Sequence, residues 1–321
     1  MRTDADQNIY IAEGLQRTIM VFSPQGKYIR SIGRVGRGPG EFPTGPKFNF
    51  TNKEEIVALD LELQRLTWFS KEGEILSEYT PPVSGVVWTE KFFQAANGDN
   101  IMLKKPRRIG LDDPENYRKY VFHRYSNSFE DHIDSFGKFE ELSPEANSEF
   151  VELINTRMSS GHFVKTGEGG FLYAPAMYNG KIYKFENSDN KWIIVDTFEG
   201  HIHWEEAVEP DAEGSMSMLF QYFDGTGEEQ RGSGIINSYS IGLIEMSDGK
   251  VLHFSGQRMV DQDSIQTMIE VFNPDGDLIG TGPFDEINIH INLSFLRDII
   301  LLYGWTKKTG SILLIIKRIG R

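Results

Sequence analysis

The sequence predicts an all-β fold, a six-bladed β-propeller of four-stranded antiparallel blades, as one domain over residues 1–321. Three observations predict it. A phrase recurs: a short β run, a turn, an aliphatic-aromatic β run, a tight polar turn and another β run. It stands as Asn8-Ile-Tyr-Ile-Ala-Glu13, Thr18-Ile-Met-Val-Phe22, Ser23-Pro-Gln-Gly26 and Lys27-Tyr-Ile-Arg-Ser-Ile32. It returns as Glu55-Ile-Val-Ala-Leu-Asp60, Arg65-Leu-Thr-Trp-Phe69, Ser70-Lys-Glu-Gly73 and Glu74-Ile-Leu-Ser-Glu-Tyr79. An internal repeat made only of strands points to a propeller or a related array. The strands are also apolar on both faces, as Ile19 and Val21 beside Met20 and Phe22 show. Such a sheet cannot bury both faces alone, whereas stacking on two neighbours does so. Finally, the aromatic at Phe22 recurs as Phe69, Tyr125, Phe185 and Phe272, where it would wedge between blades.

With strands a to d counted from the centre outward, the first unit starts at strand b (8–13), with c at 18–24 and d at 28–34. The second is complete: a near 46–51, b at 55–61, c at 65–70, d at 74–80. The third has Val86–Ala95, Asn100–Lys104, Tyr120–Ser126 and His132–Phe136, with a charged insert at 106–119. Within a second insert, 137–160, Ser143-Pro144-Glu145 signals a helix start and predicts a decorating helix over 143–157. The fourth unit is Gly161–Thr166, Gly170–Met177, Lys181–Glu186 and Lys191–Phe198. A third insert, 200–234, is acidic, Gly-rich and without clear period, and reads as a long surface loop. The fifth unit is Ile235–Glu245, Lys250–Gly256, Thr267–Phe272 and Leu278–Gly282, with Asn273-Pro-Asp-Gly276 matching Ser23-Pro-Gln-Gly26. The sixth has Ile287–Leu293, Asp298–Trp305 and Ser311–Arg318. The first and last blades thus read as incomplete, with a five-bladed ring as the alternative if the sixth unit merges with the first. Met1–Asn8 reads as the a–b turn of a repeat, so the expectation is a longer protein with on the order of 30–60 further N-terminal residues, by repeat length, or strands lent by a neighbouring subunit.

Composition narrows the function classes. Hydrophobic residues make up 39% and aromatics 12%, enough for a substantial core, and the formal net charge is −14. That charge argues against nucleic-acid backbones and anionic membrane surfaces, and favours cations or basic partners. With no cysteine, disulfides, thiolate zinc sites and thiol nucleophiles are excluded. No apolar run approaches the length of a membrane-spanning helix, and the N-terminus carries no apolar signal region.

Gln7-Asn-Ile-Tyr-Ile-Ala-Glu13 with Arg17-Thr-Ile-Met-Val-Phe22-Ser-Pro-Gln-Gly26 resembles the repeat of six-bladed propellers of the NHL-repeat and TolB-like group. The segment Ile32-Gly-Arg-Val-Gly-Arg-Gly-Pro-Gly-Glu-Phe42 is similar to the first inter-blade loop of a large bacterial family of such propellers. The resemblance spans almost the whole chain. It implies the fold and an extracytoplasmic place, in the periplasm or at the cell surface, and transfers no activity.

Several residues are candidates for chemistry. Gly33–Phe42 carries Arg34 and Arg37, a conceivable phosphate cradle, but no Gly-Lys-[Ser/Thr] or long helix accompanies it. It reads better as a crossing from one blade to the next, with glycines allowing positive φ. Glu13 with Arg17, and Asp60 with Arg65, read as turn braces. His201-Ile-His203 would put two imidazoles on one side of a strand, the weak candidate for a metal, with Glu205, Glu206 or Asp211 as further ligands. His123, His132, His162, His253 and His290 show no linking motif. Asp261-Gln-Asp263 and Asp275-Gly-Asp277 lack calcium-loop spacing, Asp112-Asp113, Glu140-Glu141, Glu205-Glu206 and Glu228-Glu229 read as loop pairs, and no Gly-x-Ser-x-Gly elbow occurs.

The expected function is non-catalytic binding of a protein, peptide or glycan through one loop-rich face, without a cofactor. Tyr117, Trp204 and Tyr222 are the aromatic anchors expected from the inserts, beside Phe139, Phe220 and Phe223. The alternative is an enzyme in the central channel, a lyase or a metal-assisted lactonase or hydrolase. The resemblance to gluconolactonase-like propellers implies for it one divalent cation such as Ca2+.

Overall fold

A computed structural model of the chain describes residues 2–80, 87–106, 119–142, 161–204, 207–210, 218–223, 229–246, 248–259, 265–284, 291–296, 299–305 and 312–318. The four-residue turns the sequence marks do close hairpins. The Gly26 N–H donates to Ser23 O at 2.8 Å, and Gly276 N–H to Asn273 O at 3.0 Å. Both glycines have positive φ, 78° and 89°, and the register slips by one residue just beyond each turn. This is a type I turn closed by a left-handed residue and a bulge, so glycine is favoured at its end.

The residues fall into two compact units, Met1–Arg107 with Phe122–Ser135, and Arg108–Val121 with Phe136–Arg321. In the first, β1 (Arg2–Thr3), β2 (Ile9–Glu13), β3 (Thr18–Phe22) and β4 (Tyr28–Ile32) form an antiparallel sheet in sequence order. The expectation that the first blade lacks its first strand is therefore corrected. Arg2 and Thr3 pair with Tyr10 and Ile9, a two-residue strand too short and polar to carry a hydrophobic period. The chain then crosses over through the parallel pair β5 (Arg34–Val35) and β6 (Glu41–Phe42). The next sheet is β7 (Lys47–Phe50), β8 (Ile56–Asp60), β9 (Arg65–Phe69) and β10 (Ile75–Tyr79). Its strand β8 is buried on both faces. Ile56 and Ala58 join a core with Tyr10, Ile19, Val21, Phe42 and Phe69. Val57 and Leu59 join another with Trp68, Phe92, Met102 and Tyr125. Each fully buried side chain of this size contributes about 1.5–3 kcal/mol. The third sheet is β11 (Val87–Gln94), β12 (Asn100–Pro106), β13 (Tyr120–Tyr125) and β14 (His132–Lys138), whose last residues belong to the second unit.

In the second unit, α1 (Phe139–Leu142) is a single turn that presents Leu142 O to the Tyr183 hydroxyl at 2.8 Å. The expected helix over 143–157, like most of the insert 106–119, lies outside the described residues. A fourth sheet follows, β15 (His162–Lys165), β16 (Phe171–Ala174), β17 (Lys181–Ser188) and β18 (Lys191–Glu199). Phe171 and Phe185 stack there at 4.9 Å. The segment 200–234, expected as a loop, instead supplies sheet: β19 (Val208–Pro210), β20 (Met218–Phe223) and β21 (Glu229–Ile236), ordered β19-β21-β20. Glycines and acids masked the strand pattern, because backbone pairing tolerates them when a partner strand is present. For the same reason the expected strand Ile235–Glu245 divides at Asn237 between β21 and β22.

The fifth four-stranded sheet is β22 (Ser238–Glu245), β23 (Val251–Arg258), β24 (Ile265–Phe272) and β25 (Leu278–Pro283). It packs on the fourth through Leu172, Ala174, Ile182, Phe198, Leu243, Val251 and Phe272. The sixth unit contributes three strands among the described residues, β26 (Ile291–Leu296), β27 (Ile299–Trp305) and β28 (Ile312–Arg318). The architecture is that of an all-β propeller, with five four-stranded antiparallel blades among the described residues.

Candidate functional site

One face of the fifth sheet carries a row of buried polar residues. The register sets Ser238 opposite Gln257 and Ser240 opposite Ser255, and His253 opposite Glu270. Directly opposed residues, and residues two apart on one strand, share a face. Ser238, Ser240, His253, Ser255, Gln257 and Glu270 therefore form one patch, and all are buried, His253 and Glu270 completely.

A hydrogen-bonded chain runs across this patch. His162 Nδ1, on β15, lies 3.1 Å from Ser240 Oγ. Ser240 Oγ lies 3.0 Å from His253 Nε2, and His253 Nδ1 lies 2.7 Å from Glu270 Oε2. The His201 backbone N–H donates to the other oxygen of Glu270. The register of β22 shifts between Ser240 and Gly242. This bulge lets Ser240, rather than a later residue, reach the imidazole on the next strand, a use to which bulges are put beside functional sites. The Tyr178 ring lies 4.2 Å from the His253 ring. Burial, then the Glu270 charge, holds the Tyr178 phenol well above its ordinary pKa. Gly200 leaves the room this needs, because a Cβ there would collide with the Tyr178 hydroxyl and the Glu270 carboxylate.

The patch is incompletely satisfied. Ser238 Oγ and Gln257 Oε1 are buried without a hydrogen-bond partner, while the Tyr178 hydroxyl faces the Glu270 carboxylate. Buried polar atoms are nearly always paired, so orphans on one patch call for water or a ligand. Gln257 Nε2 meanwhile donates to His201 O at 2.9 Å and to Ser255 Oγ at 3.0 Å. At the rim, Trp204 Nε1 donates to Arg258 O at 2.8 Å. The Arg258 guanidinium sits 5.0 Å over the Trp204 ring. The segment leading into β19 is tied to the same edge, with Asn237 N–H donating to Ala207 O at 2.8 Å.

Of the residues singled out by sequence, Trp204, His201 and His203 come to this edge. The two histidines lie outside any strand, which corrects the expected strand geometry, and their rings meet edge to face at 5.1 Å. Glu205, Glu206, Asp211 and Tyr117 lie outside the described residues, and Tyr222 lies on β20. No group of three or more metal-ligating side chains occurs among the described residues. Arg34 and Arg37 belong to the first unit and are paired with carboxylates, Arg34 with Glu41 at 2.8 Å and Arg37 with Glu62. Their loop is the crossing its glycines suggested, with Gly33 at φ 76° and Gly40 at 65°. Arg65 holds it by donating to Gly38 O at 2.8 Å and Glu41 O at 2.6 Å. Asp60 caps its own turn, accepting the Leu63 N–H at 2.7 Å, and the Glu13 carboxylate accepts the Gln16 N–H.

Sequence reasoning missed Ser240, His253 and Glu270, because they come from three strands and have no fixed spacing. The available signal was His253, Ser255 and Gln257, polar at period two on a strand expected to be interior.

Residues 3–222 match a family model described as a 6-bladed beta-propeller, DUF5128. Among solved structures, a protein of Bacteroides fragilis described as a candidate exported protein aligns at 13% identity with TM-score 0.61, covering 99% of this chain and 89% of that one. A DUF4221 member from Bacteroides vulgatus aligns at 8% identity with TM-score 0.56, covering 99% and 91%. A luciferin-regenerating enzyme aligns at 9% identity with TM-score 0.51, covering 99% and 90%. At these identities the likeness is one of fold. No curated protein matches the chain in sequence.

Proposed function

The chain belongs to the 6-bladed beta-propeller family, and we propose that it uses this scaffold to bind a hydroxyl-rich ligand, a glycan end, on the polar face of the fifth sheet. The observation that carries this reading is the pair of orphaned polar atoms, Ser238 Oγ and Gln257 Oε1, on residues opposed across a buried patch. Together they offer a donor and an acceptor, the complement of a vicinal diol. Trp204, at the rim, supplies the aromatic wall expected of such a site. An extracytoplasmic place belongs to the same proposal. Its support is the similarity to the Bacteroides fragilis protein described as a candidate exported protein, and no helix among the described residues is long and apolar enough to cross a membrane.

The test is saturation-transfer NMR with a panel of neutral mono- and disaccharides. At least one should receive saturation from the wild-type protein. Ser238→Ala, which removes the orphaned hydroxyl, should weaken it about tenfold, the equivalent of one hydrogen bond. A panel without a binder, or equal binding by Ser238→Ala, refutes the reading.

A further inference from the structure

We propose that Ser240 is a nucleophile, activated by His253 and Glu270, that cleaves an O-acyl ester carried by a hydroxyl-rich compound. The inference rests on the reading of this face as the ligand site and adds a reaction to it.

The argument is one of proton order. With Glu270 as carboxylate, both of its oxygens accept, one from the His201 backbone N–H and one from His253 Nδ1–H. That fixes the His253 tautomer, leaving Nε2 with a lone pair directed at Ser240 Oγ, 3.0 Å away. The Ser240 hydroxyl therefore donates its proton to His253. Its oxygen can then only accept from the third partner, and His162 Nδ1 at 3.1 Å supplies that N–H. Every donor in the row points toward the carboxylate. A serine, a base and an orienting carboxylate in that order is the arrangement by which a hydroxyl becomes a nucleophile, wherever its members fall in the chain. His162, only half-buried, is the member of the row nearest solvent. Its N–H orients the serine oxygen so that the hydroxyl proton points at His253.

The reaction balances without a cofactor. Ser240 Oγ attacks the ester carbonyl carbon while its proton passes to His253 Nε2. The bond to the alcohol oxygen breaks, and that oxygen takes the proton from His253. Water then gives a proton to His253 and attacks the acyl carbon, the bond to Ser240 Oγ breaks, and the carboxylic acid leaves as Ser240 regains its proton. Carrying the ester on a hydroxyl-rich compound uses the unpaired Ser238 Oγ and Gln257 Oε1 as the alcohol-side contacts.

The full chain is incubated with a fluorophosphonate probe, in which Oγ–P forms as P–F breaks, and the adduct is located by peptide mass spectrometry. The inference expects one adduct, on Ser240. The adduct should be absent in Ser240→Ala and form at least ~100-fold more slowly in His253→Gln. Circular dichroism confirms that each variant is folded. No adduct on Ser240 in the wild-type protein, with saccharide binding intact, overturns the inference alone. An adduct on Ser240 with no saccharide bound overturns the binding reading and keeps the nucleophile. Undiminished labelling in folded His253→Gln overturns the relay.

Discussion

Replacing Glu270 with Gln is the most informative change to this molecule. Glu270 is fully buried and accepts two N–H donors, from His253 and from the His201 backbone. Hydrogen bonds to a charged group contribute roughly 1.5–3 kcal/mol and neutral ones about 1. Glutamine keeps the shape but offers one acceptor oxygen and one donor NH2. If His253 kept its tautomer, two donors would face each other in a buried site. The cheaper outcome is that His253 moves its proton to Nε2, so that Nδ1 accepts from the Gln amide. Both bonds then survive in neutral form, at a cost of about 1–2 kcal/mol in all. Glu270→Ala, by contrast, strands two buried donors at ~1–3 kcal/mol each and leaves a cavity. Calorimetry should show a thermal midpoint lowered by a few degrees in Glu270→Gln and by at least twice as much in Glu270→Ala. Nitrogen NMR of labelled histidine should show Nδ1 protonated in the wild type and Nε2 protonated in Glu270→Gln. With Nε2–H pointing at Ser240 the row of donors runs backwards, and fluorophosphonate labelling should stop although the protein is folded. An unchanged tautomer in Glu270→Gln, or equal losses for Gln and Ala, refutes the reasoning.

Two further outcomes test the scaffold. Arg124 is buried between Asp99 at 2.6 Å and Asp134 at 3.3 Å. Arg124→Met should cost about 3 kcal/mol, the low end for breaking a buried pair because Asp134 keeps 40% exposure. Burial already holds the Asp134 carboxyl above its usual range. The loss in the thermal midpoint should therefore shrink as pH falls and the carboxylates protonate. The Gly38 N–H, then Arg34, lowers the Glu41 carboxyl below 4.5 in the folded protein. Its contribution to stability is complete above that ordinary value and disappears as pH falls through the lowered one. Carboxyl NMR should find Glu41 titrating below 4.5, and moving up in Arg34→Ala. Titration at the ordinary value in both proteins would contradict the loop geometry.

Most of the fold was legible because its signals are local. Ser23-Pro-Gln-Gly26 and Asn273-Pro-Asp-Gly276 announce their turns through residues that allow only a few backbone conformations, and Ile56 to Leu59 show a strand buried on both faces. The errors arose where pairing, rather than side-chain pattern, decides. β1 is two residues held by Ile9 and Tyr10. β20 and β21 are strands in a segment rich in glycine and acids, held by each other. The candidate site was hidden for a related reason. His253 and Glu270 are 17 residues apart in the chain and meet only because β23 and β24 pair in one register. One step of slippage would place them on opposite faces.

That register also shows what the site costs. Counting back from the aromatic near the end of each third strand, the cross-strand pair at the place of His253–Glu270 is Ile11–Met20 in the first sheet and Ala58–Thr67 in the second. It is Met102–His123 in the third and Tyr173–Tyr183 in the fourth. Thus the fold accepts apolar, small or aromatic pairs at this place. Among these five sheets, the fifth alone holds an imidazole against a carboxylate, both fully buried. A buried carboxylate is costly to desolvate even when hydrogen-bonded, and replacing buried charged groups by well-packed apolar residues is commonly neutral or stabilising. Packing between blades therefore gives no reason for His253 and Glu270. The bulge at Ser240, the bare Gly200 and the unpaired Ser238 and Gln257 all lie around the same pair. Each departs from the ordinary blade in a way that keeps polar atoms close and available. Such departures gathered at one place, in a repeat that elsewhere holds Ile, Ala, Thr, Met, Tyr and a single His whose cross-strand neighbour is Met, are what a site for chemistry looks like when it is built into a repeating scaffold.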